Sequence, residues 1–192
     1  RRLTGPRAAK SPDIGMALIP EDRKTEGLML PMSVLENLSL ANLSSISRAG
    51  VIDRAAERLT ADKMIKLLAI KTASTDIPVG SLSGGNQQKV VIAKWLMGEP
   101  RIILLNDPTR GIDVGTKQEI YVLLRQLADA GAAIVLYSTD YDELIGCCDR
   151  VLVMYNGAIK SELAGVEITE RALIGSALNI QSTEEAGVPV HA

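Results

Sequence analysis

A serine and two glycines stand directly before a helical pattern in Leu82-Ser83-Gly84-Gly85-Asn86-Gln87-Gln88-Lys89. Ser83 is a favoured N-cap residue, and we expect its side chain to accept from backbone N–H groups one turn further on. Gly84 and Gly85 carry no side chains that would block an approaching ligand. Because the helix start presents N–H groups and the positive end of a dipole, this stretch predicts an anion site, with phosphate as its natural occupant. A glycine turn that only leads into a core helix would show the same residues.

The composition favours a folded domain that is not built for nucleic acid. The hydrophobic content of 46% over 192 residues is enough for a buried core. The net charge of -2 provides no basic excess, so nucleic acid is excluded as a partner. The neighbouring Cys147 and Cys148 are interpreted as reduced thiols of an intracellular protein. The apolar run 132–137 is far shorter than the roughly 20 residues of a membrane-spanning helix, so no span is predicted.

Apolar runs alternate with helical patterns along the chain, which predicts an α/β fold with a mainly parallel sheet flanked by helices. The predicted strands occupy residues 15–19, 102–105, 133–137 and 151–155. The run 102–105 is apolar throughout, as is typical of a central strand covered on both faces, and 133–137 is predicted as another buried strand. An amphipathic helix closed by Gly131 carries on one face Ile120, Leu123, Leu124 and Leu127.

A small helical insert is predicted after the first strand and its charged loop, residues 21–24. Ser33 followed by Glu36 is a capping-box pattern that opens a helix through Leu43. A second helix, from Asp53, has four residues on one face: Ala61, Met64, Leu67 and Leu68. The predicted division is therefore an α/β core over 1–32 and 83–192, with a helical subdomain over 33–82.

The last third of the chain predicts two more helices and a hairpin. A short helix is expected over 140–148 and a final one over 169–178. Asn156-Gly157 predicts a hairpin turn into a strand over 158–163. A polar tail over 181–192 is expected to be frayed.

Polar residues follow the strand 102–105 as Asn106-Asp107-Pro108-Thr109-Arg110-Gly111-Ile112-Asp113. Together with the glycine pair, this segment resembles the ATP-binding subunit of ABC transporters, and the resemblance covers nearly the whole chain. Ser83-Gly84-Gly85-Asn86 corresponds to the family signature, 102–107 to the Walker B strand, and Asp113 to the D-loop. Three stretches together resemble the second nucleotide-binding half of ribose-, xylose- and galactose-type sugar importers: Pro20-Glu21-Asp22-Arg23-Lys24, Asn86-Gln87-Gln88-Lys89 and Thr109-Arg110-Gly111-Ile112-Asp113-Val114-Gly115. Nucleoside importers share parts of this set.

The resemblance implies an ABC ATPase core of the P-loop NTPase type, which uses ATP and Mg²⁺ and couples hydrolysis to sugar import. It implies another nucleotide-binding half or dimer partner, a transmembrane permease subunit and, indirectly, a periplasmic sugar-binding protein. The expected location is cytoplasmic, on the inner face of the cell membrane. In such a dimer each ATP lies between the Walker A of one half and the signature of the other. Ser83, Gly84, Gly85 and Asn86 are therefore expected to serve a neighbour's nucleotide.

The Walker A motif of that family is not found in the chain. A P-loop needs the pattern G-x-x-x-x-G-K-[ST], and no stretch of the 192 residues fits it. In the family this loop lies upstream of the position where the chain starts. The chain is therefore interpreted as a fragment that begins after its own Walker A, and alone it is expected to be inactive.

The Walker B end departs from the family at two positions. Asn106 stands at the Mg²⁺ position, where the family has aspartate, and it brings no charge to the ion. Asp107 stands at the position of the catalytic glutamate and is shorter by roughly 1.5 Å. A slip of one residue would make Asp107 the metal carboxylate and would leave Pro108 where the acid belongs. Both departures predict a weakened site on this half.

Two other positions, Thr139 and Glu21, are assigned by the resemblance. Thr139 stands at the switch position, where many relatives have histidine. The only histidine, His191, is assigned an inert or structural role. Glu21 stands where the Q-loop glutamine is usual, and a solvated loop is the alternative interpretation for it.

Two functional hypotheses follow from these residues. The first is an energy-coupling ATPase half that completes a competent site on its partner while its own site binds ATP and hydrolyses it poorly. The second is a non-catalytic dimerisation and coupling module whose insert contacts the membrane subunit. An unrelated α/β fold with coincidental glycines remains a third interpretation.

Overall fold

A computed structural model describes residues 15–179 of the chain. The predicted tail over 181–192 lies outside the described residues. The chain divides into two units, Arg1–Ser138 and Thr139–Ala192, and each is considered by itself. The predicted division into a core and a helical subdomain stays a prediction.

The first unit contains a parallel three-stranded sheet in the order β1-β4-β5. Its strands are β1 (Met16–Ile19), β4 (Ile102–Asn106) and β5 (Ala133–Tyr137). In register, Leu18 lies opposite Leu104, which lies opposite Val135. The predicted parallel sheet with 102–105 as its central strand is therefore confirmed.

Only one face of this sheet is buried in the described part of the chain. Ile19, Ile103 and Leu105 are at most 2% exposed and point into the core, as the period-two alternation of a strand requires. On the opposite face Leu18 is 53% exposed, and Val135 and Tyr137 are each 60% exposed. The prediction of strands covered on both faces is therefore wrong for residues 15–179.

Two helices follow the first strand. Helix α1 (Val34–Ser39) begins with the predicted capping box, in which the Glu36 N–H donates to Ser33 Oγ at 3.2 Å and the Ser33 N–H to Glu36 Oε2 at 2.8 Å. A 3₁₀ turn (Leu40–Asn42) replaces its predicted last turn. Helix α2 (Arg54–Leu67) is capped by Asp53 as predicted.

The segment between α1 and α2 is not purely helical, contrary to the prediction. Strands β2 (Ser47–Arg48) and β3 (Val51–Ile52) form a small antiparallel hairpin. On α2 the apolar face was also predicted one residue too wide, because Leu67 is 52% exposed. Consecutive helical residues differ by about 100° in direction, so the buried Leu68 turns Leu67 outward.

The core of the first unit forms around α3 (Gly84–Leu96). Residues Val90, Val91, Ile92 and Ala93 are all fully buried, so this helix is covered on every side along its middle turn. Helix α4 (Val114–Asp129) buries the predicted Ile120, Leu123 and Leu124. It ends before Gly131, whose φ of 99° suits the left-handed conformation that closes helices.

The charged segment after β1 was predicted as a loop and is instead a π turn, Arg23–Gly27. Its start is held by Asp22, whose carboxylate accepts from the N–H groups of Lys24 at 2.8 Å and Thr25 at 3.4 Å. Hydrogen bonds to this carboxylate, first from the Thr25 side chain and then from the Lys24 N–H, lower the pKa of the Asp22 carboxyl. π-Helical turns are rare, and most of them lie inside α-helices, whereas this one stands between two extended residues.

The second unit confirms the elements predicted for it. Helix α5 (Tyr141–Cys147) is followed by an antiparallel hairpin of β6 (Arg150–Tyr155) and β7 (Ala158–Ala164). The turn residues Asn156 and Gly157 have φ of 48° and 76°, as a type I′ turn requires. Helix α6 (Glu170–Ala177) begins at Thr169.

Among residues 15–179, no helix is both long and apolar enough to cross a membrane.

Candidate functional site

The start of α3 differs from the predicted cap. Ser83 is the N-cap residue, with extended backbone at φ -61° and ψ 156°, but its side chain makes no cap hydrogen bond. Instead, Asn86 Nδ2 donates to Ser83 Oγ at 2.9 Å, and Asn86 Oδ1 accepts from the Lys71 N–H at 2.8 Å. Because Ser83 Oγ acts as acceptor towards Asn86, its own proton is left for another acceptor.

Gly84 and Gly85 make room for side chains of this chain. A Cβ on Gly84 would lie 2.9 Å from Arg23 Nη2, and a Cβ on Gly85 would lie 2.6 Å from Thr116 Oγ1. The prediction treated both glycines only as space for a ligand. The structure adds that they let Arg23 and Thr116 approach the start of α3 from the π turn and from α4.

Replacing Gly85 by alanine is expected to destabilise the first unit by about 1–3 kcal/mol, because the new methyl group overpacks against Thr116. Thermal or urea unfolding measures the change. Gly175→Ala is the matched control, since a Cβ there meets no heavy atom within 4 Å. Adding Thr116→Ala to Gly85→Ala should make the two costs less than additive. Full additivity would contradict the contact.

Asp113, whose D-loop role stays a prediction, is the N-cap of α4. Its Oδ1 accepts from the Thr116 N–H at 2.9 Å and its Oδ2 from the Thr116 hydroxyl at 2.8 Å. Asp113 thereby fixes the side chain that packs on Gly85, and it links the start of α4 to the start of α3. The bonds from Thr116, the backbone N–H first and then the hydroxyl, lower the pKa of the Asp113 carboxyl.

Replacing Asp113 by asparagine is expected to reduce stability in a pH-dependent way. A carboxyl whose pKa falls on folding stabilises the fold above its unfolded-state pKa, near 3.8 here, and loses that contribution as the pH falls through the folded-state pKa. The difference in free energy of unfolding between wild type and Asp113→Asn should therefore be constant above about pH 5 and shrink below about pH 4. Urea unfolding across this range measures it. A difference that grows on acidification would contradict the assignment.

Glu21, at the Q-loop position, forms an ion pair with Arg110. Arg23 donates from Nη1 to the Arg110 carbonyl at 3.2 Å while its other terminal nitrogen lies against Gly84. The side chain of Glu21 is 37% exposed and that of Arg110 is 68% exposed, so the alternative interpretation of Glu21 and Asp22 as a solvated loop stays open. Arg110 compensates the carboxylate, and Arg23 joins this pair to the start of α3. The Q-loop role of Glu21 stays a prediction.

The two Walker B positions have different surroundings. Asn106 is the last residue of β4 and lies opposite Tyr137, on the sheet face that is not covered in the described chain. Asp107 is only 4% exposed and adopts a left-handed conformation with φ 47°. Its N–H donates to the Tyr137 carbonyl at 2.8 Å. Aspartate tolerates this conformation better than longer side chains, so the backbone favours aspartate over glutamate at position 107.

A magnesium site is not formed by the described residues alone. Within 15–179 there is no group of three or more His, Cys, Asp or Glu side chains that could hold a metal ion. At the end of β4 the chain offers the neutral amide of Asn106 and the buried Asp107, whereas Mg²⁺ is usually bound by carboxylates together with substrate phosphates. The described residues therefore supply one buried carboxylate and one neutral amide at this end of β4, and the Mg²⁺ role of Asn106 stays a prediction.

Thr139, at the switch position, is exposed and belongs to the second unit, directly before the N-cap residue Asp140 of α5. Its switch role stays a prediction. His191 lies outside the described residues.

Lys89, four residues after Gly85, is a functional candidate that sequence reasoning missed. Its side chain is 5% exposed, and its ammonium group pairs with Glu119 of α4 and donates to the carbonyl of Ala69 at 3.3 Å, just after α2. It therefore ties three helices together one turn after the glycine pair. The signal in the sequence that could have revealed it is a lysine directly before the apolar run Val90-Val91-Ile92-Ala93.

Comparisons with known proteins bear on the family. A family model described as ABC transporter matches residues 4–110. The ribose import ATP-binding protein RbsA 1 of Mesorhizobium japonicum is 75% identical over 182 residues, 95% of this chain and 35% of that protein. The ribose import ATP-binding protein RbsA of Oceanobacillus iheyensis is 48% identical over 160 residues, 83% of this chain and 32% of that protein. The chain thus spans about a third of the length of the curated relatives it matches.

Solved structures agree on the fold. An ATP-binding cassette of an ABC transporter superposes with a TM-score of 0.73 at 23% identity, covering 89% of this chain and 70% of that one. A dimeric cassette in a post-hydrolysis state, bound to ADP and Pi, superposes with a TM-score of 0.64 at 23% identity, covering 78% and 62%. At such identities the likeness shows the fold alone. Since the family model matches more than half of its residues, the chain belongs to the ABC transporter family.

Proposed function

We propose that the chain is part of the ATP-binding, energy-coupling subunit of an ABC importer for a sugar. In this proposal the start of α3 contacts a nucleotide that another nucleotide-binding half holds. The names of the similar proteins support ribose as the sugar. The proposal also includes a permease subunit, a periplasmic sugar-binding protein and a location on the inner face of the cell membrane.

The observation that carries this proposal is the state of the Ser83 side chain. Its hydroxyl does not cap α3 but accepts from Asn86, and the side chain is exposed. The first N–H groups of α3 have no acceptor within the helix, since an α-helix leaves its first four donors unbonded. An O–H donor and several N–H donors therefore stand together at the positive end of a 13-residue helix, an arrangement that suits a phosphate.

The nucleotide site that contains this half's own Walker B residues, its own site, is proposed to hydrolyse ATP poorly. Asn106 supplies no charge at the Walker B end, and the aspartate Asp107 stands where the family has the longer glutamate. The proposal therefore assigns the chain to the second nucleotide-binding half, with hydrolysis chiefly at the site that Ser83 helps to complete.

The same departures support a second candidate function, a half that couples and dimerises without hydrolysing. The neutral Asn106 and the buried, left-handed Asp107 favour it over an active own site. The two candidates differ in whether this half hydrolyses ATP at its own site, and the combined variant Asn106→Asp and Asp107→Glu separates them.

Uptake by the full-length protein tests the proposed function. The protein, reconstituted with its permease in vesicles and supplied with the sugar-binding protein, should accumulate labelled ribose only when ATP is present on the side of the nucleotide-binding halves. Unlabelled galactose, xylose and adenosine serve as competitors. Uptake of labelled adenosine, tested in place of labelled ribose, without uptake of ribose would favour a nucleoside importer, and uptake of ribose without ATP would contradict the proposal.

A further inference from the structure

Lys94 is a buried lysine that the proposed function does not use. It lies near the end of α3, its residue is 7% exposed, and burial lowers the pKa of its ammonium group. The ammonium donates to the carbonyl of Gly27, the last residue of the π turn, and no other hydrogen-bond acceptor for it is found among the described residues. The ring of Trp95 lies 5.5 Å from it.

Such a group is costly to keep in a core. An ammonium with one neutral acceptor recovers only part of the hydration it loses on burial. A methionine of similar length would fill the same space without that cost. The charge therefore does not serve packing, and the contact it makes is the feature that needs an explanation.

That contact holds the π turn along α3. Gly27 packs on the same face of the helix, because a Cβ there would lie 2.9 Å from Val91 Cγ2, one turn before Lys94. At the other end of the turn, Arg23 lies against Gly84 and donates to Arg110. Gly84 and Lys94 are separated by about 15 Å along a helix that rises 1.5 Å per residue.

The backbone of α3 is fixed at the same place from the opposite direction. Asn42 Nδ2 donates to the Lys94 carbonyl at 2.8 Å. Lys94, which binds the π turn through its side chain, is therefore also bound through its backbone to the 3₁₀ turn after α1. The π turn, the end of α1 and α3 therefore meet at Lys94.

We propose that Lys94 is a positioning residue: by holding the Gly27 carbonyl it makes the π turn after Glu21 move together with α3, and so aligns Ser83 with the nucleotide of the other half. This inference rests on the proposed function, because it concerns the alignment of the same helix start.

The test is ATP hydrolysis by the full-length protein assembled with its permease. Lys94→Met is expected to lower kcat roughly tenfold with little change in KM for ATP, because the nucleotide is held by the other half and only the alignment of Ser83 is lost. Lys94→Arg keeps a buried donor and should recover most of kcat. Lys66→Met, at an exposed position of α2, is the matched control and should leave both constants unchanged.

Unchanged kcat in Lys94→Met, or a rise in KM without loss of kcat, would overturn the inference. If Lys94→Met does not fold, Gly27→Ala replaces it, since its methyl group pushes the π turn away from Val91 and should lower kcat in the same way. Ser83→Arg, measured in the same assay, separates a failure of the Lys94 inference from a failure of the proposed function. If it lowers hydrolysis while Lys94→Met and Gly27→Ala do not, the inference fails alone. If it also has no effect, the proposed function fails.

Discussion

Replacing Ser83 by arginine should lower ATP hydrolysis by the full-length protein at the site held by the other nucleotide-binding half roughly 100-fold or more, the scale of losing one well-placed donor to a developing charge. The substitution removes the hydroxyl donor and fills the space before α3 with a long side chain. Because the Ser83 side chain makes no cap bond and is exposed, we expect the fold to tolerate the change. Hydrolysis is measured with the own site of this half disabled.

Ser81→Arg is the matched control for this variant. Ser81 is also exposed, lies two residues earlier, and donates from its hydroxyl to the Pro78 carbonyl at 2.7 Å. Its replacement should leave hydrolysis within about twofold of wild type, a change of less than 0.5 kcal/mol in the barrier. Equal losses in both variants would indicate a general disturbance of this segment, and no loss in Ser83→Arg would remove the signature role.

Restoring the Walker B pattern should raise turnover at the own site of this half. In the full-length protein with the other site disabled, Asn106→Asp combined with Asp107→Glu is expected to increase ATP hydrolysis roughly 10- to 100-fold, because both charge and reach return to positions where geometry controls rate. The left-handed backbone at Asp107 opposes the second change, since longer side chains are less tolerated there. The double variant should accordingly be less stable than Asn106→Asp alone.

Asn179→Asp is the control for the added charge, because Asn179 is exposed and lies beyond α6. It should leave turnover unchanged. If the double variant folds and its own-site turnover equals that of wild type, the weakened-site hypothesis is wrong and the non-catalytic coupling module becomes the better account.

The fold was predictable where local chemistry decides it. Ser33, Asp53 and Thr169 mark helix starts that the structure confirms, because a cap residue satisfies N–H groups of its own helix. The turn at Asn156-Gly157 is equally local, since these two residues accept positive φ.

Elements that depend on distant contacts were missed. The end of the π turn is held by Lys94, 67 positions away along the chain from Gly27, and only the start of the turn is marked locally, by the capping residue Asp22. The hairpin of β2 and β3 turns at Ala49 and Gly50, with φ of 50° and 81°, and alanine gives no signal for that conformation.

In the candidate site, too, features set by neighbouring residues were predictable and features set by distant residues were not. The position of Ser83 before α3 follows from its neighbours, but the fate of its hydroxyl depends on Asn86, which is itself held by the N–H of Lys71, 15 positions away. The left-handed conformation of Asp107 could not be read from the sequence either, because it is set by the neighbouring strand β5 through the Tyr137 carbonyl.

The most direct test of the central claim is a structure of the full-length assembly trapped with ATP. The account predicts that Ser83 Oγ and the first N–H groups of α3 lie within hydrogen-bonding distance of a phosphate whose P-loop belongs to the other nucleotide-binding half. A trapped nucleotide whose phosphates contact neither Ser83 nor the start of α3 would contradict the account. So would a nucleotide that Ser83 contacts but whose P-loop belongs to the same half as Ser83.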